Sequence, residues 1–78
     1  MTAAEHVSIY AIPGRLVARD EDAGIIVAWN ESATFNVYGE LAPGVFHEVD
    51  VFTVYGVEGE GEARGHALDW LAETVETA

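Results

Sequence analysis

The sequence predicts an α+β domain in which an antiparallel meander of four or five strands carries one C-terminal helix packed on one face. Short segments rich in Val, Ile, Phe and Tyr alternate between apolar and polar residues, which is the period of half-buried strands. Two Pro-Gly pairs and several Gly-containing clusters separate these segments, as turns do. The end of the chain changes to helical spacing, so the predicted sheet spans about 6–56 and the predicted helix about 62–77.

Turn residues delimit the predicted strands. The first strand alternates with period two and ends at Pro13 and Gly14, which suit the two central positions of a type II turn. A second pair, Pro43 and Gly44, predicts another turn before the longest strand. The predicted strands are 6–12, 15–19, 24–30, 33–38 and 45–55.

The fifth predicted strand, 45–55, determines what the sheet is expected to expose. Its alternating valines are expected to point into the core. Glu48 and Asp50 then fall together on the opposite, solvent-facing side. The sequence therefore predicts that part of the sheet is acidic.

The helix is amphipathic, with an acidic row opposite its apolar arc. At about 100° per residue, the row spans a sector of about 60°. It has no lysine partners, and like charges three or four positions apart each cost a few tenths of a kcal/mol. The macrodipole also disfavours carboxylates in the last turn, and Gly61 is expected to cap the helix start. The acidic row is Glu62, Asp69, Glu73 and Glu76, and the apolar arc is Ala63, Ala67, Trp70, Leu71, Thr74, Val75 and Ala78.

Length and composition indicate one globular domain over residues 1–78. Half of the 78 residues are apolar, which is sufficient for a single core. Fourteen carboxylates face three arginines and no lysine, for a formal charge of −11. This charge disfavours direct binding to nucleic acid or to anionic lipid, and favours a basic partner such as a nucleic-acid-binding protein. Solubility and a halophile origin are the alternative explanations of the acidity.

Cysteine is absent from the sequence, which excludes disulfides, thiolate zinc sites and a cysteine nucleophile. The sequence shows neither a signal-peptide pattern nor an apolar run long enough to cross a bilayer. We therefore expect a cytoplasmic protein, and no feature of the sequence predicts a cofactor.

The histidines do not predict catalysis or metal binding. No Ser or Thr forms a recognisable nucleophile motif with His6, His47 or His66. Strand alternation sends His47 to one face and both Glu48 and Asp50 to the other. The sequence therefore predicts a protein that is not an enzyme and that has no metal site.

The acidic row is the predicted partner-binding surface. Carboxylates three or four positions apart on a helix lie roughly 5–6 Å apart, which is similar to the spacing of phosphates along a nucleic-acid strand. The acidic loop after the second strand joins this surface if it folds to the same side, and exposed aromatic residues are expected to contribute shape. The predicted partner-binding residues are Glu62, Asp69, Glu73, Glu76, Glu58, Glu60, Asp20, Glu21, Asp22, Tyr55 and Trp70.

The remaining aromatic residues and the first strand complete the expected surface. Tyr10 and Tyr38 are further interface candidates at strand ends. The aromatic residues expected to build the core are Trp29, Phe35, Phe52 and Trp70. The first strand has no charge between Val7 and Ile12. Its edge lacks the charged residues that usually prevent pairing, so a homodimer through this strand is also expected to be possible.

In size, acidity and strand-plus-helix layout, without a shared motif, the chain resembles the anti-CRISPR proteins encoded by phages and mobile elements. The resemblance implies a cytoplasmic, non-enzymatic inhibitor that binds a CRISPR effector on the basic surface that receives target DNA or guide RNA. Competitive blocking by charge mimicry is then the expected mechanism. Two alternatives stay open, namely an acidic accessory or oligomer-forming subunit of a phage or bacterial complex, and a DNA mimic directed against another nucleic-acid enzyme.

Overall fold

The computed structural model describes residues 6–8 and 12–75, with side chains described for 12–75. These residues form a five-stranded antiparallel sheet and one helix, which confirms the predicted α+β class. The strands are β1 (His6–Ser8), β2 (Arg15–Asp20), β3 (Ile25–Trp29), β4 (Thr34–Ala42) and β5 (Val45–Thr53), and the helix is α1 (Glu60–Thr74).

The strand order is β1-β5-β4-β3-β2, so β2 to β5 form a meander and β1 adds beside β5. The predicted turn at Pro13 and Gly14 implies that the first two strands are neighbours, and this is wrong, because β1 and β2 occupy opposite edges. Gly14 does have a φ of 88°, but a Cβ added there would lie 2.6 Å from the carbonyl oxygen of Trp29. Glycine is therefore required at this position for a close approach to the end of β3.

The second Pro-Gly pair forms the predicted turn, since Gly44 has a φ of 79° in the connection between β4 and β5. β4 continues to Ala42, beyond its predicted end at residue 38. Residues 9–11 of the predicted first strand and 76–78 of the predicted helix lie outside the described residues.

The helix begins at Glu60, slightly before its predicted start, and Gly59 rather than Gly61 occupies the N-cap. Gly59 offers no side-chain cap. Instead, the Glu62 carboxylate accepts a hydrogen bond of 3.0 Å from the backbone N–H of Glu58. This contact resembles a capping box, in which a glutamate in the first turn satisfies an N–H just before the helix.

The core lies on both faces of the sheet. The spacing of Ala63, Ala67 and Leu71 places these residues in one buried strip against the sheet, which confirms the centre of the predicted apolar arc, although Thr74 is exposed. The helix-side cluster consists of Val17, Ala18, Val27, Trp29, Phe35, Val37, Ala63, Ala67 and Leu71. The opposite face carries Ile26, Ala28, Tyr38 and Phe46, with Ile12 packed against them.

Four aromatic rings form a continuous stack from β3 to α1. The ring centroids of Trp29 and Phe35 lie 6.5 Å apart, and those of Phe35 and Phe52 lie 4.8 Å apart. Trp70 continues the stack at 5.3 Å from Phe52, with an interplanar angle of 6°. Each such pair contributes about 0.5–1.5 kcal/mol beyond its buried area. The stack links α1 to three strands, and the prediction that these aromatic residues build the core is confirmed.

A β-bulge in β5 changes which side chains share a face. Tyr38 pairs with Glu48, whereas the preceding Val37 pairs with Asp50, so Val49 is the extra residue. Neighbouring residues of β4 point to opposite faces of the sheet. Glu48 and Asp50 therefore lie on opposite faces, and the prediction that they share one is wrong.

The bulge also decides which residues of β5 are buried. Phe46 is buried in the cluster opposite the helix, and Phe52 packs against the helix-side cluster. Because the bulge reverses the alternation between them, each phenylalanine reaches a core. The prediction that the valines of this strand point into the core is wrong, since three of them are exposed: Val45, Val49 and Val51.

Candidate protein-interaction surface

The cationic side chains are gathered on one side of the molecule. Arg15 and Arg19 belong to β2, and Arg64 of α1 lines a groove along the same strand. Arg15 pairs with Glu31 at 3.1 Å and with Glu60 at 3.4 Å. These are the three arginines of the sequence, so the basic side chains all lie beside β2.

The acidic row lies on the other side of the helix. Glu62, Asp69 and Glu73 are exposed, and in an α-helix they project roughly 140–180° around the axis from Arg64. His66 lies between Glu62 and Asp69 along this flank and is also exposed. We call this surface, formed by Glu62, His66, Asp69 and Glu73, the acidic flank; Glu76 lies outside the described residues.

The carboxylates near the helix N-terminus have structural partners. Glu62 accepts the N–H of Glu58, and Glu60 pairs with Arg15. Both contacts are exposed, and acidic residues in the first turn also complement the macrodipole. Glu60 and Glu62 are therefore explained in part by the formation of the helix, whereas Glu58 contributes only its backbone N–H and Asp69 is beyond the first turn.

The acidic loop lies at the other end of the helix. Asp20, Glu21 and Asp22 line a groove together with Val75, the residue that follows α1. The Asp20 carboxylate accepts the backbone N–H of Ala23 at 3.1 Å, which stabilises the turn after β2. The loop therefore lies beside the C-terminal end of the helix, and that it joins the acidic row on the same side stays a prediction.

The two predicted aromatic contact residues have different environments. Trp70 stacks on Phe52 and packs against the helix-side cluster, and its side chain remains partly exposed. Tyr55 follows β5 and is 85% exposed, which is the largest exposure among the exposed apolar residues of 12–75. Tyr55 is therefore available to a partner without any rearrangement.

Tyr38 does not fit the role of an interface residue, because it is only 6% exposed. Burial, followed by the charge of Glu48, raises the pKa of its phenol above the ordinary value of 10.0. Tyr10, the other candidate of this kind, lies outside the described residues.

Asp50 is a surface residue that the sequence placed on the wrong face. It pairs with Val37, whose side chain lies in the helix-side cluster, and it precedes Phe52 by two positions on that face. Asp50 is exposed, so a carboxylate lies beside the aromatic stack on the same face as the helix. No feature of the hydrophobic pattern reveals this position, because it depends on the bulge.

Other site types find little support in the described ranges. Residues 6–8 and 12–75 contain no group of three or more His, Asp or Glu side chains arranged to hold a metal ion. In the same part of the chain, the helix is neither long enough nor apolar enough to cross a membrane.

Comparison with protein-family models, with curated proteins and with solved structures finds no match to this chain.

Proposed function

We propose that this protein is a non-enzymatic inhibitor that binds the basic surface of a nucleic-acid-binding protein through its acidic flank. The observation that carries the proposal is that the arginines lie apart from the acidic flank. The three arginines lie beside β2, whereas Glu62, Asp69 and Glu73 lie exposed on the far side of the helix. A charge excess distributed only for solubility would not need this separation.

Electrostatic attraction is the first step of the proposed binding. A net charge of −11 steers the protein towards a groove lined by lysine and arginine. On the acidic flank, Asp69 and Glu73 are one turn apart, roughly 6 Å, and Glu62 to Glu73 spans about 16 Å along the helix. The flank therefore offers negative charges on the length scale of a short nucleic-acid backbone.

Specificity needs contacts that charge alone does not provide. Tyr55 is exposed, and Trp70, which is partly exposed, lies next to the acidic flank on the helix. Aromatic side chains of this kind are enriched among the residues that dominate binding energy in protein interfaces. Tyr55 and Trp70 are the proposed apolar anchors, with Asp50 adding charge beside the aromatic stack.

The specific form of the proposal follows the resemblance to anti-CRISPR proteins, with a CRISPR effector as the partner and loss of target binding as the effect. A DNA mimic directed against another nucleic-acid enzyme would use the same surface. The identity of the captured partner separates the two.

The proposal is tested by capture from cells. Tagged protein is incubated with lysates from matched strains that carry or lack a CRISPR system, and captured proteins are identified by mass spectrometry. The proposal expects a basic nucleic-acid-binding protein whose capture decreases steeply as salt is raised to about 0.5 M, where exposed charges are screened within a few Å. Capture that is unchanged at high salt would rule out electrostatic recognition.

A matched pair of variants locates the surface. The variant D69K/E73K reverses two charges on the acidic flank. The control variant E40K/E48K reverses two exposed charges on β4 and β5. These two glutamates point to the face opposite the helix, because their pairing partners Phe46 and Tyr38 lie in the cluster there. We expect the first variant to lose capture and the second to retain it, with both folded by circular dichroism. Equal loss in both variants would show that only net charge matters, and would exclude a defined site.

A further inference from the structure

β2 is an edge strand, and in the described ranges it pairs with β3 alone. Its charges are divided along its length, with Arg15 at its start and Asp20 at its end. Charged residues and a β-bulge, both present in β2, usually prevent an edge from pairing, so only a strand with complementary charges and a matching register would be accepted. The edge of β2 would best accept an antiparallel strand that has an acidic end opposite Arg15 and a basic end opposite Asp20.

Exposed leucines flank this edge on both faces of the sheet. Leu16 pairs with Ala28, which belongs to the cluster opposite the helix, and it is 45% exposed. Leu68 is also 45% exposed and follows Arg64 by one helical turn, so it lies on the side of α1 that borders β2. A partner at the edge of β2 would cover both side chains.

We propose that β2 is the interface of a symmetric homodimer, in which the β2 strands of two copies pair antiparallel and join their sheets. The strand is complementary to itself. When Val17 is placed opposite Ala18 of the partner subunit, Arg15 lies opposite Asp20 of the partner subunit, and the symmetry repeats this charge pair. Arg15 also pairs with Glu31 and Glu60 of its own chain in exposed contacts, which Asp20 of the partner subunit would join or replace. An opposite-charge pair directly across an antiparallel ladder is stabilising, whereas like charges are destabilising.

The faces of the side chains agree with this register. Arg15 and Asp20 pair with Trp29 and Ile25 of β3, which belong to or pack against the helix-side cluster. Both therefore point to the helix face, as a directly opposed pair must. Val17 and Ala18 lie in the helix-side cluster as well, because a bulge between Leu16 and Ala18 shifts the register of β2.

The proposed register also agrees with the face opposite the helix. Leu16 and Arg19 both point to that face, because they pair with Ala28 and Ile26 of the cluster there. Leu16 lies opposite Arg19 of the partner subunit in this register, and the aliphatic part of that arginine would cover it. This dimer leaves the acidic flanks of both copies exposed, because each lies on the side of α1 away from β2. It is independent of the proposed function, and either can fail without the other.

Sedimentation equilibrium at physiological salt tests the dimer. The wild-type protein is expected at twice the 8.4 kDa mass of the chain. The variants R15D and D20R each place like charges in both pairs and are expected at the mass of one chain. An equimolar mixture of R15D and D20R restores both pairs and is expected to return to the dimer mass, which a merely structural role of either residue would not produce.

Two further variants keep the test decisive. L68E adds a negative charge beside β2 and is expected to be monomeric. L41E makes the same change at an exposed leucine of β4 and is expected to stay dimeric, with circular dichroism verifying that each variant is folded. A wild-type protein that remains a monomer up to its solubility limit would overturn the proposal. A dimer that survives in R15D, D20R and L68E alike would also overturn it and would place the interface elsewhere, such as the first strand.

Discussion

Trp70 of α1 stacks on Phe52 of β5 with ring centroids 5.3 Å apart and planes 6° from parallel. This pair attaches the helix to the strand that carries Asp50, and it lies beside the acidic flank. The same tryptophan therefore has a role in stability and a proposed role in binding, and the two roles require separate measurements.

The first prediction concerns the stability role of Trp70. We expect W70A to lower the free energy of unfolding by about 2–3 kcal/mol, because the variant lacks the ring that stacks on Phe52. The loss is smaller than for a fully buried tryptophan, because Trp70 is half-buried. Urea titration followed by circular dichroism measures the change. W70F, which keeps an aromatic ring, should lose less than half as much; an equal loss would mean that the stack contributes little.

The second prediction concerns alkaline pH. Burial raises the pKa of Tyr38 above 10.0, so its phenol keeps its proton in the folded state at a pH where the unfolded chain loses it. The resulting stabilisation is fully present below about pH 10 and is lost as pH rises through the folded-state pKa. We expect wild-type stability to decrease above pH 10 and the decrease to be smaller in Y38F. Thermal unfolding at intervals between pH 8 and pH 11 checks this, and identical pH profiles for the two proteins would contradict it.

The third prediction compares two glycines with positive φ. A Cβ at Gly14 would lie 2.6 Å from the carbonyl oxygen of Trp29, whereas a Cβ at Gly44 would have no atom within 4 Å. G44A should therefore lower the free energy of unfolding by about 1 kcal/mol, which is the strain of placing an alanine in the left-handed backbone conformation. G14A should cost at least about 1 kcal/mol more, because backbone atoms must move. Chemical denaturation of both variants gives the comparison, and equal losses would show that the contact at Gly14 is easily relaxed.

The fourth prediction concerns the charge at the end of the helix. The last turn of α1 contains no basic residue, and the acidic loop lies beside Val75, just after it. Thr74 is exposed, so T74K is expected to raise the free energy of unfolding by about 0.3–1 kcal/mol through the macrodipole and the nearby carboxylates. T74Q serves as the uncharged control. A gain of the same size in T74Q, or a gain that persists in high salt, would assign the effect to helix propensity.

Periodicity within single segments was informative for this protein. The spacing of Ala63, Ala67 and Leu71 predicts the buried strip of α1, and therefore also predicts the side of the helix on which Asp69 is exposed. Pro43 and Gly44 likewise predict the turn before β5. Each of these features depends on residues a few positions apart, and short-range geometry is fixed by backbone dihedrals and side-chain spacing.

Pairing over long distances in the sequence was not predictable in the same way. Pro13 and Gly14 suggest a hairpin, yet β1 pairs with β5, because an antiparallel strand can add to either edge of a sheet. Alternation in β5 suggests that Glu48 and Asp50 share a face, yet the bulge at Val49 separates them. A single extra residue reverses every side chain that follows it, and local composition does not reveal where it is inserted.

The sequence by itself determined the α+β class, the amphipathic helix and the excess of negative charge, because these depend on composition and on local periodicity. Only the tertiary structure decided that the arginines lie together beside β2, that Asp50 lies on the face of the aromatic stack, and that β2 is an edge strand and not an inner strand of the sheet. These features depend on strand order and register, which are set by burial of the whole set of apolar side chains at once.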